Sequence, residues 1–327
     1  MGRTTRRRSL LFAAASLLAW PARAQQPDTG DAGFRHHSEY LVGTEWLAAH
    51  LESRDVVVLH VGRTDSAYRA GHIPGARFLP LSAVATTVRG IPNEFPPRGY
   101  LVATFRDLGV GDSARIVIYG DDPGLLAARA WVALDLLGQS GRTSILDGGL
   151  ARWTAERRPT ATDLIMSSPE AFTARWQGDR IVDATWVRAH LGDSSVVFVD
   201  ARPSDQYAGA EPGCQPGPTS CTEIPAERRG HLPGAKSLFW MGALVSREDP
   251  VLKPMHFLHE EFWKPTGADR PGVRTIVTYC RTGMQASHAY FVARYLGYPD
   301  VRLYDGSFIE WSALTPAADY PVERRAP

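Results

Sequence analysis

The sequence predicts an α/β protein of two tandem domains, each a parallel β-sheet with helices on both faces, and three observations carry that prediction. The chain has 327 residues, more than one hydrophobic core usually organises. Its second half repeats the blocks of the first in the same order, and a repeat reveals architecture before any single element is assigned. Within each copy, near-continuous β-branched runs alternate with helical patterns, as strands buried on both faces of a parallel sheet require.

The repeat can be followed element by element. Residues 42–51, with Trp46 and His50, recur as residues 182–191, with Trp186 and His190, an amphipathic pattern that suits a short helix. Buried strands follow at 56–61 and 196–200. The turn clusters at 71–76 and 230–235 come next, each with a proline that fixes φ and glycines that permit positive φ. Second strands at 116–119 and 276–279 run into helical patterns at 125–137 and 285–296, and each copy closes on a matching block, from Asp147-Gly148 to Trp153 or from Asp305-Gly306 to Trp311. The expected organisation is an export signal over 1–24, a first domain over 38–158 without cysteine, a linker over 159–178 and a second domain over 179–327.

Charge narrows the partners. A formal net charge of +1 with interspersed signs provides no field to gather nucleic acid or an anionic membrane, so small-molecule chemistry is expected. Four arginines (Arg3, Arg6, Arg7, Arg8) precede an apolar run from Leu10 to Trp20 and the small-residue site Ala22-Arg23-Ala24, the pattern of a cleaved export signal. That run is too short for a membrane span, which needs about 20 apolar residues. Arg7-Arg8-Ser9-Leu10-Leu11 fits the twin-arginine pattern, although a basic start also produces such pairs by chance, so both export routes stay open. The expected location is the periplasm.

The ligand region of such sheets lies at the carboxyl ends of strands, which directs attention to Cys280 and the loop Arg281, Thr282, Gly283, Met284 and Gln285 between a buried strand and a helix. Backbone N–H groups at that helix start can converge on the sulfur and favour the thiolate. A lowered thiol pKa and a nucleophilic Cys280 are therefore expected. The alternative is a buried structural cysteine.

Cys280-Arg281 followed by Gly283, Ala286 and His288 resembles the active loop of the two-domain rhodaneses, the thiosulfate and 3-mercaptopyruvate sulfurtransferases. The resemblance covers nearly the whole chain after the export signal. It implies two rhodanese-like domains, the first inactive, since Tyr119 is followed by Gly120-Asp121-Asp122-Pro123-Gly124 with no thiol. It also implies a Cys280 persulfide, Arg202 as a substrate-anion ligand beside the loop, Arg281 as a second substrate cation, no metal or organic cofactor, and a small-molecule sulfur donor and acceptor as partners; a monomer is the default expectation, since two domains can bury their interface against each other. Arg202 could instead pair with an acidic neighbour. Thiosulfate enzymes usually carry lysine where this chain has Thr282, and mercaptopyruvate enzymes usually carry glycine where it has Arg281. The donor stays open between the two.

Rival readings are weaker. A cysteine phosphatase needs an arginine six positions after the cysteine to grip phosphate, and that position is Ala286. A non-enzymatic module that binds partners or relays sulfur remains the second reading. His36 with His37, and His256 with His259, lack cysteine or carboxylate partners at ligand spacing.

Between Tyr207 and Gly230 the second half carries an insertion that holds Cys214 and Cys221. In an oxidising compartment these two form the expected disulfide, worth about 2.5 kcal/mol of unfolded-state entropy; reduced, either could serve as a partner thiol for Cys280. Intact mass after alkylation under denaturing conditions without reductant is expected to show one modified cysteine and a chain starting at Gln25. Three modified cysteines would contradict the bridge.

Overall fold

The computed structural model describes residues 36–211, 213 and 223–324. The export signal, Cys214 and Cys221 lie outside them. In the first half the elements are β1 (Leu41–Val42), α1 (Thr44–His50), β2 (Val56–Gly62), α2 (Ser66–Ala70), β3 (Arg77–Pro80), β4 (Thr86–Val88), β5 (Ile91–Glu94), α3 (Arg98–Asp107), β6 (Arg115–Gly120), α4 (Leu125–Leu136), β7 (Thr143–Leu146) and α5 (Gly149–Ala155). The second half runs β8 (Ile181–Val182), α6 (Ala184–Ala189), β9 (Val196–Asp200), α7 (Ser204–Ala208), β10 (Lys236–Ser237), α8 (Met255–Phe257), β11 (Thr275–Tyr279), α9 (Met284–Tyr295), β12 (Val301–Tyr304) and α10 (Ser307–Ala313).

Each half forms a five-stranded sheet, ordered β1-β7-β6-β2-β3 and β8-β12-β11-β9-β10, with every pairing parallel. The two orders are the same topology, as the sequence repeat requires. Central strands β2, β6, β9 and β11 are buried along almost their whole length, which explains why their sequences are apolar on both faces rather than alternating.

Helices α4 and α9 lie between the halves, and most of each is buried. A helix apolar on all sides is a core helix, and here the core is shared: Trp131 and Phe291 meet edge to face at 5.0 Å. Buried polar groups fix the register. Asp135 accepts a 2.6 Å hydrogen bond from Tyr290 Oη and an ion pair from Arg180. Arg129 of α4, fully buried, crosses to Asp305 at 2.6 Å.

Two features had no counterpart in the sequence reading. The first is the β4–β5 hairpin, whose turn residues Arg89 and Gly90 both have positive φ (51° and 84°), the geometry a two-residue hairpin turn favours. The second concerns the connection after α5. It runs along the first half as a strap, bonded through Ala161 to His72, Thr173 to Asp112, and Arg175 and Gln177 to the end of α4.

Removing one partner of a buried ion pair strands the other charge, at a cost of about 3–5 kcal/mol. Arg129→Met is therefore expected to lower stability by that order in urea unfolding followed by tryptophan fluorescence. Arg129→Met with Asp305→Asn should recover part of the loss, because asparagine retains an acceptor without the orphaned charge.

Candidate active site around Cys280

Cys280 follows the last residue of β11 and is 1% exposed. Gly283 then takes φ +81° to turn the chain into α9. A Cβ there would lie 2.8 Å from Asp305 Oδ1 and 3.2 Å from Arg129 Nη1, so only glycine lets the loop pack this closely. The result is a cradle in which the amides of Ala286, Thr282 and Gln285 bond to the Cys280 sulfur.

The start of α10 holds the loop from the other side. Phe308 N donates to Cys280 O and Ile309 N to Arg281 O, each at 3.0 Å, while Cys280 N donates to Ser307 Oγ at 3.3 Å. The first half supplies a third support. Asn93 Nδ2 of β5 donates to Thr282 Oγ1 at 3.0 Å, the Asn93 carbonyl accepts from Arg129 Nη2, and Phe95 N donates to Asp305 Oδ2 at 2.7 Å. Asn93 reaches this position with φ +65°, a conformation that asparagine tolerates better than most residues.

The thiol itself departs from the sequence expectation. Burial pushes the Cys280 pKa up, the amides of Ala286 and Thr282 pull it down, and Asp200 adds a further upward push; the balance is upward. The helix-start amides are present as expected, but desolvation of a thiolate this deeply enclosed outweighs them.

Arg202 is buried, and its fork is committed. Nε and Nη2 bond Asp200 at 2.6–3.1 Å, Nη2 also bonds Gly230 O at 2.6 Å, and the guanidinium lies 4.2 Å above the Phe308 ring. This is the acidic pairing that was the alternative to a substrate role. Arg281 is half-buried, with Nη1 3.0 Å from where a Cβ of Gly213 would sit. Burial and then the neighbouring Arg202 charge disfavour its cationic form, and an anion entering beside Cys280 would offset both. Thr282, Gly283, Met284 and Gln285 all belong to the cradle or its helix start; Cys214 and Cys221 cannot be placed among the described residues.

Sequence reasoning missed Asn93, Arg129, Asp305 and Ser307. A signal existed for two of them: Arg129 is the first of only two charged residues in the apolar run of α4, and Asp305 belongs to the repeated Asp-Gly block. Among the described residues no group of histidine, cysteine and carboxylate side chains is arranged to hold a metal, and no helix is long and apolar enough to cross a membrane. His259 instead bonds Glu260 at 2.9 Å and pairs with Asp269 at 3.2 Å.

The cysteine-free loop of the first half uses the same scaffold with different side chains. Tyr119 Oη accepts from Ile73 N at 3.0 Å as Tyr279 Oη does from Leu232 N at 3.1 Å. His60 stands where Asp200 stands in register and bonds Asp121. The Asp122 carboxylate accepts from Gly124 N and Leu126 N, both at 3.1 Å. An internal carboxylate thus fills the amide cradle that holds Cys280 in the other half.

Comparison with known proteins agrees with this duplicated architecture. The sequence profile of the rhodanese-like domain matches residues 43–156 and 183–314. The chain is 30% identical over 286 residues to the sulfur carrier protein TtuD of Thermus thermophilus, covering 85% of this chain and 95% of that one. It is 28% identical to the 3-mercaptopyruvate sulfurtransferase of Escherichia coli over 87% of this chain and 98% of the relative. With the thiosulfate sulfurtransferase of Azotobacter vinelandii it shares 30% identity over 85% and 94%. Among solved structures, the Escherichia coli 3-mercaptopyruvate sulfotransferase superposes with a TM-score of 0.68 at 24% identity, covering 82% of this chain and 98% of that one. The anaerobic ergothioneine biosynthesis enzyme of Chlorobium limicola gives 0.73 at 22%, covering 88% and 71%. These two share the fold.

Because the thiolate is the reactive form, a raised pKa makes Cys280 slow to alkylate at neutral pH. Iodoacetamide labelling of the Cys280 peptide, quantified by mass spectrometry across pH, should show a midpoint above about 8.5, the value of a free cysteine. A midpoint below neutral would contradict the dominance of burial.

Proposed function

The chain belongs to the rhodanese-like family, and we propose that it is a sulfurtransferase that moves sulfane sulfur from thiosulfate or 3-mercaptopyruvate to a nucleophilic acceptor through a persulfide on Cys280. The observation that carries this reading is the convergence of three backbone amides on the sulfur of Cys280, in a chain whose other copy of the loop has no thiol.

In the first half-reaction the Cys280 thiolate attacks the outer sulfur of the donor. With thiosulfate, the S–S bond breaks and its electron pair leaves with sulfite. With 3-mercaptopyruvate, the C–S bond breaks and the departing enolate takes up a proton to become pyruvate. In the second half-reaction the acceptor, cyanide or a thiolate, attacks the terminal sulfur and the Cys280 thiolate returns. Ping-pong kinetics follow from this order. The amides are already oriented, so they hold thiolate and persulfide anions without reorganisation.

Arg281, half-buried next to Cys280, is the cation that meets an anionic donor in this reading. The names of the relatives support both donors, and the sulfur carrier among them supports a second reading in which the persulfide is relayed without turnover. We extend the proposal to an exported protein, on the strength of the four early arginines, the apolar run and the Ala22-Arg23-Ala24 site.

Cys280→Ser is expected to reduce thiocyanate and pyruvate formation to background with the fold intact by circular dichroism; retained turnover would overturn the assignment. Wild type that takes up sulfur yet turns over no donor would favour the relay. Thr282→Lys places a second cation beside Arg281 and should raise kcat/KM for thiosulfate relative to 3-mercaptopyruvate by about tenfold, the worth of one charge-assisted hydrogen bond.

A further inference from the structure

One cavity stands apart from Cys280. It has a volume of about 370 Å³ and lies against the cysteine-free loop, lined by Asp121, Asp122, Gly124, Asp147, Leu252 and His288 among others. The internal repeat shows what its counterpart contains.

Arg129 stands five residues after Gly124 on α4, and His288 stands five residues after Gly283 on α9. They are therefore the same position of the repeat, each reaching across to the opposite half. Asp147 and Asp305 are likewise equivalent, and each accepts a backbone amide from the opposite half: Leu252 N at 2.9 Å and Phe95 N at 2.7 Å. In the second half's copy the Arg129 guanidinium completes the arrangement by bonding Asp305 at 2.6 Å.

In the first half's copy no guanidinium among the described residues is bonded to Asp147. The His288 ring reaches Gly124, with Cδ2 and Nε2 at 3.6 and 3.7 Å from where its Cβ would be, but forms no bond to Asp147. Arg152, the nearby cation that acts on Asp147, is exposed and forms its ion pair with Glu156 at 3.0 Å instead, and His288 Nδ1 is buried without a hydrogen-bond partner although the residue is only 3% exposed. Burial holds His288 neutral, with its pKa pushed down to about 4, and pushes Asp147 up to about 6. A neutral imidazole is a hydrogen-bond acceptor. Asp121 and Asp122 add negative charge to the wall, while Arg247 is exposed, where solvent screens it.

We propose that this cavity binds a small guanidinium-bearing cation, which takes the place that Arg129 fills in the other half, with Asp147 as its carboxylate partner and the His288 imidazole as a neutral acceptor. The planar fork of a guanidinium matches a carboxylate through two parallel hydrogen bonds. The site is separate from the sulfur chemistry at Cys280 and stands or falls without it.

Calorimetric titration of the full-length protein with methylguanidine at millimolar concentration tests the proposal, with methylurea as the uncharged control. Saturable one-to-one binding of methylguanidine and none of methylurea is expected. Asp147→Asn keeps an acceptor for Leu252 N and should weaken binding by about tenfold or more, the worth of one charge-assisted hydrogen bond. His288→Arg offers the chain's own guanidinium and should abolish binding of the probe. Absence of saturable binding by the wild type, equal binding of methylurea, or unchanged affinity in either variant would overturn the proposal.

Discussion

The arrangement of this protein depends on one buried ion pair across its two halves, Arg129 with Asp305 at 2.6 Å. A charge taken out of water is costly unless its hydrogen-bonding capacity is met, and Arg129 meets it by bonding Asp305, the Val84 and Asn93 carbonyls and Ser287. Its guanidinium also stacks 3.4 Å above the Phe95 ring. Those partners come from both halves, so the first half closes over the Gly283 turn and brings Asn93 to Thr282. A domain without a thiol of its own thereby shapes the loop that carries one.

The duplicated scaffold shows how one backbone device serves two purposes. A strand ends, a glycine with positive φ turns the chain, and the first amides of a helix point at one spot. Where Cys280 occupies that spot, the amides face a group that can exchange sulfur. Where the Asp122 carboxylate occupies it, the cradle is filled permanently. The side chains around the two loops differ, Asp200 with Arg202 against His60 with Asp121, while the two sheets keep the same topology.

The fold was legible because it depends on short-range pattern: β-branched runs buried on both faces, helical runs beside them, and a repeat that doubles every signal. Helices expected at 125–137 and 285–296 are observed at Leu125–Leu136 and Met284–Tyr295. The cysteine loop was legible for the same reason. Contacts between Asn93 and Thr282, or Arg129 and Asp305, join residues far apart in the chain, and nothing local to either partner announces the other. The direction of the thiol pKa was misread because it is a balance: sequence shows the helix start that stabilises a thiolate, whereas the burial that opposes it belongs to the assembled halves.

The central claim, that Cys280 carries the sulfur, is tested most directly by the mass of the Cys280 peptide after exposure of the protein to donor without acceptor. A mass gain of one sulfur atom on that peptide, removed by cyanide as thiocyanate appears, is the predicted result. An unmodified Cys280 peptide from protein that still forms thiocyanate would contradict it.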